Sequence, residues 1–344
     1  MNILGLNAFH GDSSAALVRD GVLVAAVEEE RFRRVKHWAG FPSESIAYCM
    51  REAGIGLADV AHIALNQDSR ANLGRKLAYL LLHLPNLGLV GDRLRNRRKR
   101  ETTPELLAKA FPGHSFRGEF HNIEHHLAHL SSAFHGSPFE QAAVVSVDGF
   151  GDFASTAWGV GKGSNIEIEG RVYFPHSLGV FYQAITQYLG FPHYGDEYKV
   201  MGLAPYGRPM AMEAMRKIVR LQPGGSFELD LTYFRHHRER IAYQWTGGSP
   251  EFGDLFSPAL ERLLGPRRAN ANADPMMNAE RVPAVANSYL CGADAAFLLH
   301  HRFMVTLRAC SRHSSRFTRS TRSRRPAGTL RRRRPPFCGR VRRA

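Results

Sequence analysis

One plan occurs twice in this chain, and it limits the possible folds more than any other feature. Residues 2–7 form a short apolar run. A small loop, His10-Gly11-Asp12, leads to a second run from Ser13 to Arg19, and Asp20-Gly21 separates that from a third, Val22 to Val27. The same order returns with Ala142 to Val147, the loop Asp148-Gly149-Phe150-Gly151-Asp152, Ser155 to Val160, the turn Lys162-Gly163-Ser164, and Ile166 to Phe174. Short apolar runs bounded by Gly and Asp predict strands, and Asp-Gly between two of them predicts a hairpin. Both loops carry Gly-Asp just before the second strand. Helices are expected in the gaps: one from Ser43 as N-cap, with Ile46, Cys49 and Met50 at helical spacing; a basic helical region over 70–110; and one from Ser177 to Leu189, capped by Ser177.

A repeated strand–loop–strand–turn–strand unit resembles the start of each half of the actin-like ATPase fold shared by sugar kinases, Hsp70 and actin. The expected class is α/β, with duplicated βββαβα halves and an incomplete second half. The expected divisions are 1–140, 141–285 and a tail over 286–344. In that fold the two loops clamp nucleotide phosphates through backbone N–H groups. Asp12, Ser13 and Ser14 in the first loop, and Gly149 and Gly151 in the second, are the corresponding candidates.

Net charge is +15, which on its face signals nucleic acid. Its location argues against that. Residues 302–344 hold fifteen Arg and no Lys, Asp or Glu, leaving 31 basic and 31 acidic residues over 1–301. The Arg-, Ser- and Pro-rich tail has too few apolar groups to form a core. Its lack of Lys is the composition expected of a GC-rich gene read out of frame; the alternative is a basic arm for nucleic acid or acidic lipid. The run Arg95, Arg97, Arg98, Lys99, Arg100 reads as a solvated face. The apolar stretch Leu77 to Val90 is broken by His83, Pro85 and Asn86 and falls short of the ~20 residues that span a bilayer. Four cysteines without a CxxC pair, and no basic region at the N-terminus, fit the cytoplasm.

The strongest chemical signal is His125-His126-Leu127-Ala128-His129. On a helix, His125 and His129 share a face one turn apart, a spacing that suits two ligands of one divalent ion. Asp148, at the end of the next strand, would face the cleft of an open α/β sheet. Two imidazoles and a carboxylate suit iron or zinc. His10 is a candidate general base. Glu28-Glu29-Glu30-Arg31 reads equally as site lining or as a salt-bridged turn. In the segment Gly195 to Gly207, Glu197 could hold ribose hydroxyls and Lys199 could face phosphate.

Taken together, the segments Gly5 to Ala16, Glu28 to His37, His125 to His129, Val147-Asp148-Gly149, Ser177 to Tyr182 and Glu197 to Gly207 resemble the O-carbamoyltransferases that modify nodulation factors, cephamycins and aminoglycosides. The resemblance covers roughly residues 1 to 280. The N-terminal domain of that family is in turn similar to the tRNA threonylcarbamoyl-adenosine synthase. The resemblance implies that carbamoyl phosphate and ATP give carbamoyl-adenylate, which carbamoylates a small-molecule alcohol. It also implies divalent iron or zinc on His125, His129 and Asp148, with His10 as base and Lys36 as charge stabiliser. The family's late Gly-Gly-x-x-x-Asn motif and a further ligating aspartate are not found in this sequence. A nucleotide-binding ATPase or kinase of the same fold, lacking carbamoyl chemistry, is the competing expectation.

Overall fold

The structure is a computed structural model that describes residues 1–83, 102–206, 208, 210–239, 243–246 and 249–268. The expectations for the Arg95–Arg100 run and the Arg-rich tail lie outside these residues.

The first repeat folds as predicted. Strands β1 (Asn2–Asn7), β2 (Ser14–Arg19) and β3 (Val22–Glu28) form an antiparallel meander. Two further strands without a sequence signal of their own, β4 (His62–Leu65) and β5 (Glu119–Asn122), add in parallel, β4 beside β1 and β5 beside β4. The sheet order is β3-β2-β1-β4-β5, with the βββαβα succession expected of each half. Alternate residues of a strand share a face, so Leu4 and Leu6, Ala15 and Leu17, and Ile63 and Leu65 project together. They bury against Ile46, Cys49 and Met50 of the helix Ser43–Ala53 and Leu107 of the helix Thr103–Ala110. Burial holds the Cys49 thiol up at about 11, so it is an inert core group.

The N-cap assignment at Ser43 is corrected. Ser43 is the first helical residue, and Pro42 before it offers no side-chain cap. The fully buried Glu29 carboxylate caps this helix from outside, accepting from the Ser45 amide at 2.8 Å, the Ser45 hydroxyl at 2.8 Å and the Glu44 amide at 3.2 Å. A carboxylate at a helix N-terminus meets unpaired N–H donors and the positive end of the dipole. Glu28 and Glu29 also pair with Arg31 and Arg33, so this acidic run is a salt-bridged turn.

The second repeat begins the same way. Strands β6 (Gln141–Gly151), β7 (Ala154–Lys162) and β8 (Asn165–Tyr173) form an antiparallel sheet, and these are its only strands among the described residues. Leu130 and Phe134 of the helix His125–His135 pack against Val144 and Ala157 on one face. On the other face lies the larger cluster built from Phe181, Ile185, Tyr188 and Phe227, with Trp158 packed against it. No described helix is long and apolar enough to cross a membrane.

Candidate metal centre

The segment Asp148–Asp152 is not the open loop that its composition predicts. Val147 pairs with Thr156 and Gly151 with Ala154, so three residues of β6 bulge out opposite one of β7. The turn itself is Asp152-Phe153, with φ of 49° and 74°. A bulge re-aims side chains, and this one points Asp148 at the helix His125–His135.

Two contacts fix the start of that helix. Glu124 caps it by accepting from the Leu127 amide at 2.8 Å, and Asp152 Oδ2 accepts from the His125 amide at 3.0 Å. Asp152 Oδ2 also takes the Asp68 amide at 2.8 Å, tying the segment after β4 to the β6–β7 turn. Ser177 locks the bulge. Its hydroxyl bonds the Asp148 and Gly149 carbonyls at 3.0 and 2.7 Å and accepts from the Val180 amide at 3.1 Å, confirming the predicted cap. Gly179 lets the helix Leu178–Tyr188 approach, since a Cβ there would stand 2.6 Å from the Asp148 carbonyl.

The result is a compact donor set. His125 Nε2 lies 2.8 Å from Asp148 Oδ2; His129 Nε2 lies 3.3 Å from the same oxygen and 3.1 Å from His125 Nε2. Three atoms that ligate one ion at ~2.1 Å with angles near 90° stand ~3.0 Å apart, so these residues fit a divalent cation. A cation on Nε2 suits His125, because the other ring nitrogen, Nδ1, lies 3.2 Å from the Asn66 carbonyl and can donate its proton there. Asn66 also donates to Asn7 Oδ1 at 3.0 Å, and Asn7 donates to the carbonyls of Gly11 and Asp12. Asn7, Asn66 and His125 follow or end β1, β4 and β5, so the site lies at the carboxyl ends of the parallel strands.

Electrostatics match the geometry. Burial raises the Asp148 carboxyl, but the bonds from His125, His129 and the Gly149 amide outweigh it and hold the carboxyl well below its ordinary value. Burial lowers His125, and Asp148 more than reverses that, leaving it raised. His10 stands with its ring 5.5 Å from that of His125, and its Nε2 is buried without a hydrogen-bond partner. Burial and then His125 push His10 down, against Asp148, Asp152 and Gln67, so it stays neutral more readily than a free histidine. His126 points away from the triad, to Ser146 Oγ at 2.9 Å.

The remaining candidates spread over the rim of the cleft. Asp12 Oδ1 meets His37 Nδ1 at 2.8 Å, and Glu30 accepts from the His37 amide at 3.0 Å. His37 packs edge-on against Tyr194, and Gly11 and Gly195 are required where the two halves touch: a Cβ on either would collide with Tyr194 or His37. Glu197 lies on this side, its carboxyl raised by burial and partly restored by His37 and Gln183. Ser13 is fully buried, with its hydroxyl bonded to the carbonyls of His10 and Gly40, so it shapes the first loop. Ser14 lies half-buried in β2, Lys36 is exposed beside His37, and Lys199 pairs with Asp196 at 2.6 Å. Sequence reasoning missed Asn7, Asn66 and Asp152. Each is a polar residue just past or near the end of an apolar strand, and that placement is the signal that could have found them.

Similar proteins place the chain in a family. A 38% identical protein of uncharacterised function from Synechocystis aligns over 269 residues, 74% of this chain and 42% of that protein. The nodulation protein NolNO of Sinorhizobium fredii is 41% identical over 205 residues, 59% of this chain and 29% of that protein. The chain thus spans less than half the length of these relatives. Among solved structures, YeaZ from Pseudomonas aeruginosa is 18% identical with a TM-score of 0.27, covering 49% of this chain and 64% of that chain. The family model described as carbamoyltransferase N-terminus matches residues 2–246, and this chain therefore belongs to the carbamoyltransferase N-terminal family.

Proposed function

We propose that the chain carries the transfer site of an O-carbamoyltransferase, in which a carbamoyl group passes from carbamoyl-adenylate to a hydroxyl of a small molecule or glycoside. The observation that supports this reading most is the convergence of His125 Nε2, His129 Nε2 and Asp148 Oδ2 within 3.3 Å of one another beside the unpartnered Nε2 of His10. The donor would be made from carbamoyl phosphate and ATP, and the compartment would be the cytoplasm. Residues 1–140 and 141–285 would be the two halves of the domain.

His125, His129 and Asp148 would hold divalent iron, or zinc, which supplies Lewis acidity toward the carbamoyl oxygen when bound. Asn66 would keep His125 in the ligating tautomer, and Ser177 and Gly179 keep Asp148 aimed. His10, neutral because it is buried beside His125, takes the proton of the acceptor hydroxyl at Nε2. The alcohol oxygen then forms a bond to the carbamoyl carbon as the bond to the adenylate phosphate breaks, and AMP leaves with that electron pair. Asp12, Ser14, Gly149, Gly151, Glu197 and Lys199 would take the nucleotide side, and Lys36 would stabilise developing charge. Carbamoyl-adenylate, a divalent cation and a polyol acceptor incubated with the chain should give carbamate and AMP. Folded, metal-loaded protein that yields no carbamate refutes the reading.

A further inference from the structure

Away from the cleft, the entry of the two outer parallel strands carries a second set of metal-type donors. His62 opens β4, and Glu119 and His121 lie on β5, the strand at the end of the sheet. The register sets His62 opposite Glu119 and Ala64 opposite His121. Since alternate residues share a face, all three project from the face opposite Ile63 and Leu65, which enter the core. His62 Nδ1 and His121 Nε2 stand 2.9 Å apart, with ring centroids 5.0 Å apart. Glu119 Oε2 lies 3.8 Å from the His121 nitrogen and 4.0 Å from the His62 nitrogen.

The point equidistant from these three atoms is about 2.1 Å from each, which is the length of a Zn–N or Zn–O bond. Gly118 allows this closeness. A Cβ on it would sit 2.1 Å from the Ala61 carbonyl oxygen, the same oxygen that accepts from the Glu119 amide at 3.0 Å. Without a cation, one imidazole has to donate its proton to the other, and the carboxylate at 3.8 and 4.0 Å is beyond hydrogen-bond range of both. A dication satisfies both nitrogens and the carboxylate together.

We propose that His62, Glu119 and His121 form a surface site for a divalent transition-metal ion of the Zn2+, Ni2+ or Cu2+ class, and that the ion clamps the short edge strand β5 to β4. The imidazole pair disfavours Mg2+ and Ca2+, which take oxygen ligands. The half-open setting leaves further coordination positions to water. The site is separate from the His125–His129–Asp148 centre. It lies at the amino ends of β4 and β5, and a rise of ~3.3 Å per residue puts His62 ~13 Å along the strand from Asn66, which contacts His125.

The test is a Zn2+ titration of the full chain by calorimetry, with imidazole resonances followed by NMR, in the wild type, His62→Ala, His121→Ala, Glu119→Gln and His125→Ala. The wild type should take up one more ion per chain than His62→Ala or His121→Ala. Glu119→Gln should weaken that same step at least about 10-fold, and His125→Ala should retain it. Excess Mg2+ should not displace the ion. If an alanine variant fails to fold, His62→Gln and His121→Asn replace it. Wild-type stoichiometry and affinity in the His62 and His121 variants would mean a hydrogen-bonded histidine pair only, and would overturn the proposal.

Discussion

Gly149 lies in the bulge and Gly151, two residues on, closes it by pairing with Ala154, yet the structure assigns them opposite tolerances. A Cβ on Gly151 would stand 2.0 Å from both Cγ and Cδ2 of the His125 ring and 2.6 Å from its Cβ, whereas a Cβ on Gly149 meets nothing within 4 Å. His125 has nowhere to retreat. Its Nδ1 is tied to Asn66, its Nε2 to Asp148, and its amide to Asp152. Gly151→Ala therefore forces the ring or the bulge to move, an overpacking cost of about 1–3 kcal/mol. In a domain of this size that lowers Tm by roughly 2–4 °C per kcal/mol. The larger effect falls on metal affinity, because reorienting a ligand typically costs ~10–100-fold. Equilibrium dialysis against Zn2+, alongside thermal melts, compares Gly151→Ala with Gly149→Ala. The expected result is a large affinity loss in the first and near-wild-type binding in the second. Equal affinities in the two variants would refute the placement of His125 against the bulge.

Further outcomes follow from neighbouring contacts. Ser177→Ala removes a helix cap and frees two carbonyls that aim Asp148, so it should cost about 1–2 kcal/mol in urea unfolding and weaken metal binding; an unchanged midpoint would contradict that role. Removing metal with a chelator should lower Tm. A ligand at 100 times its Kd stabilises by about 2.7 kcal/mol, and in a chain with the strand-edge site removed by His121→Ala that difference should vanish on adding His125→Ala and His129→Ala. Burial lowers His176 and His236, so both give up a proton more readily in the folded chain than in the unfolded one, where the ordinary value is 6.5. More protons then bind the unfolded state as pH falls below 6.5, and stability should fall with it. His236→Asn should flatten that slope in urea midpoints measured from pH 7.5 to 5.5, and an identical slope would rule His236 out as its source.

The duplicated meander was legible because each strand is a short apolar run closed by Gly or Asp, and β1–β3 and β6–β8 appear within a residue or two of expectation, apart from the bulged end of β6. Strands β4 and β5 were not, since four residues such as His62–Leu65 or Glu119–Asn122 carry no alternation that a sequence window can separate from loop. That His125 and His129 share one helix face was legible from their spacing. What surrounds them was not: the Asp148 bulge depends on ladder register, and the Asn66 carbonyl that meets His125 Nδ1 is a backbone atom 59 residues away. The Ser43 cap failed for a related reason, because the group that does the capping, Glu29, lies 16 residues from Ser45 in the chain.

Whether His125, His129 and Asp148 hold one divalent cation can be read at the metal itself. X-ray absorption at the metal edge of a His121→Ala chain, loaded with one equivalent of Fe2+ or Zn2+, tests it with the strand-edge pair removed. The expected spectrum has ligand atoms at ~2.1 Å from two imidazole rings and a carboxylate oxygen, reduced to one ring by His129→Ala. A shell without imidazole scattering, or one that His129→Ala leaves unchanged, would contradict it.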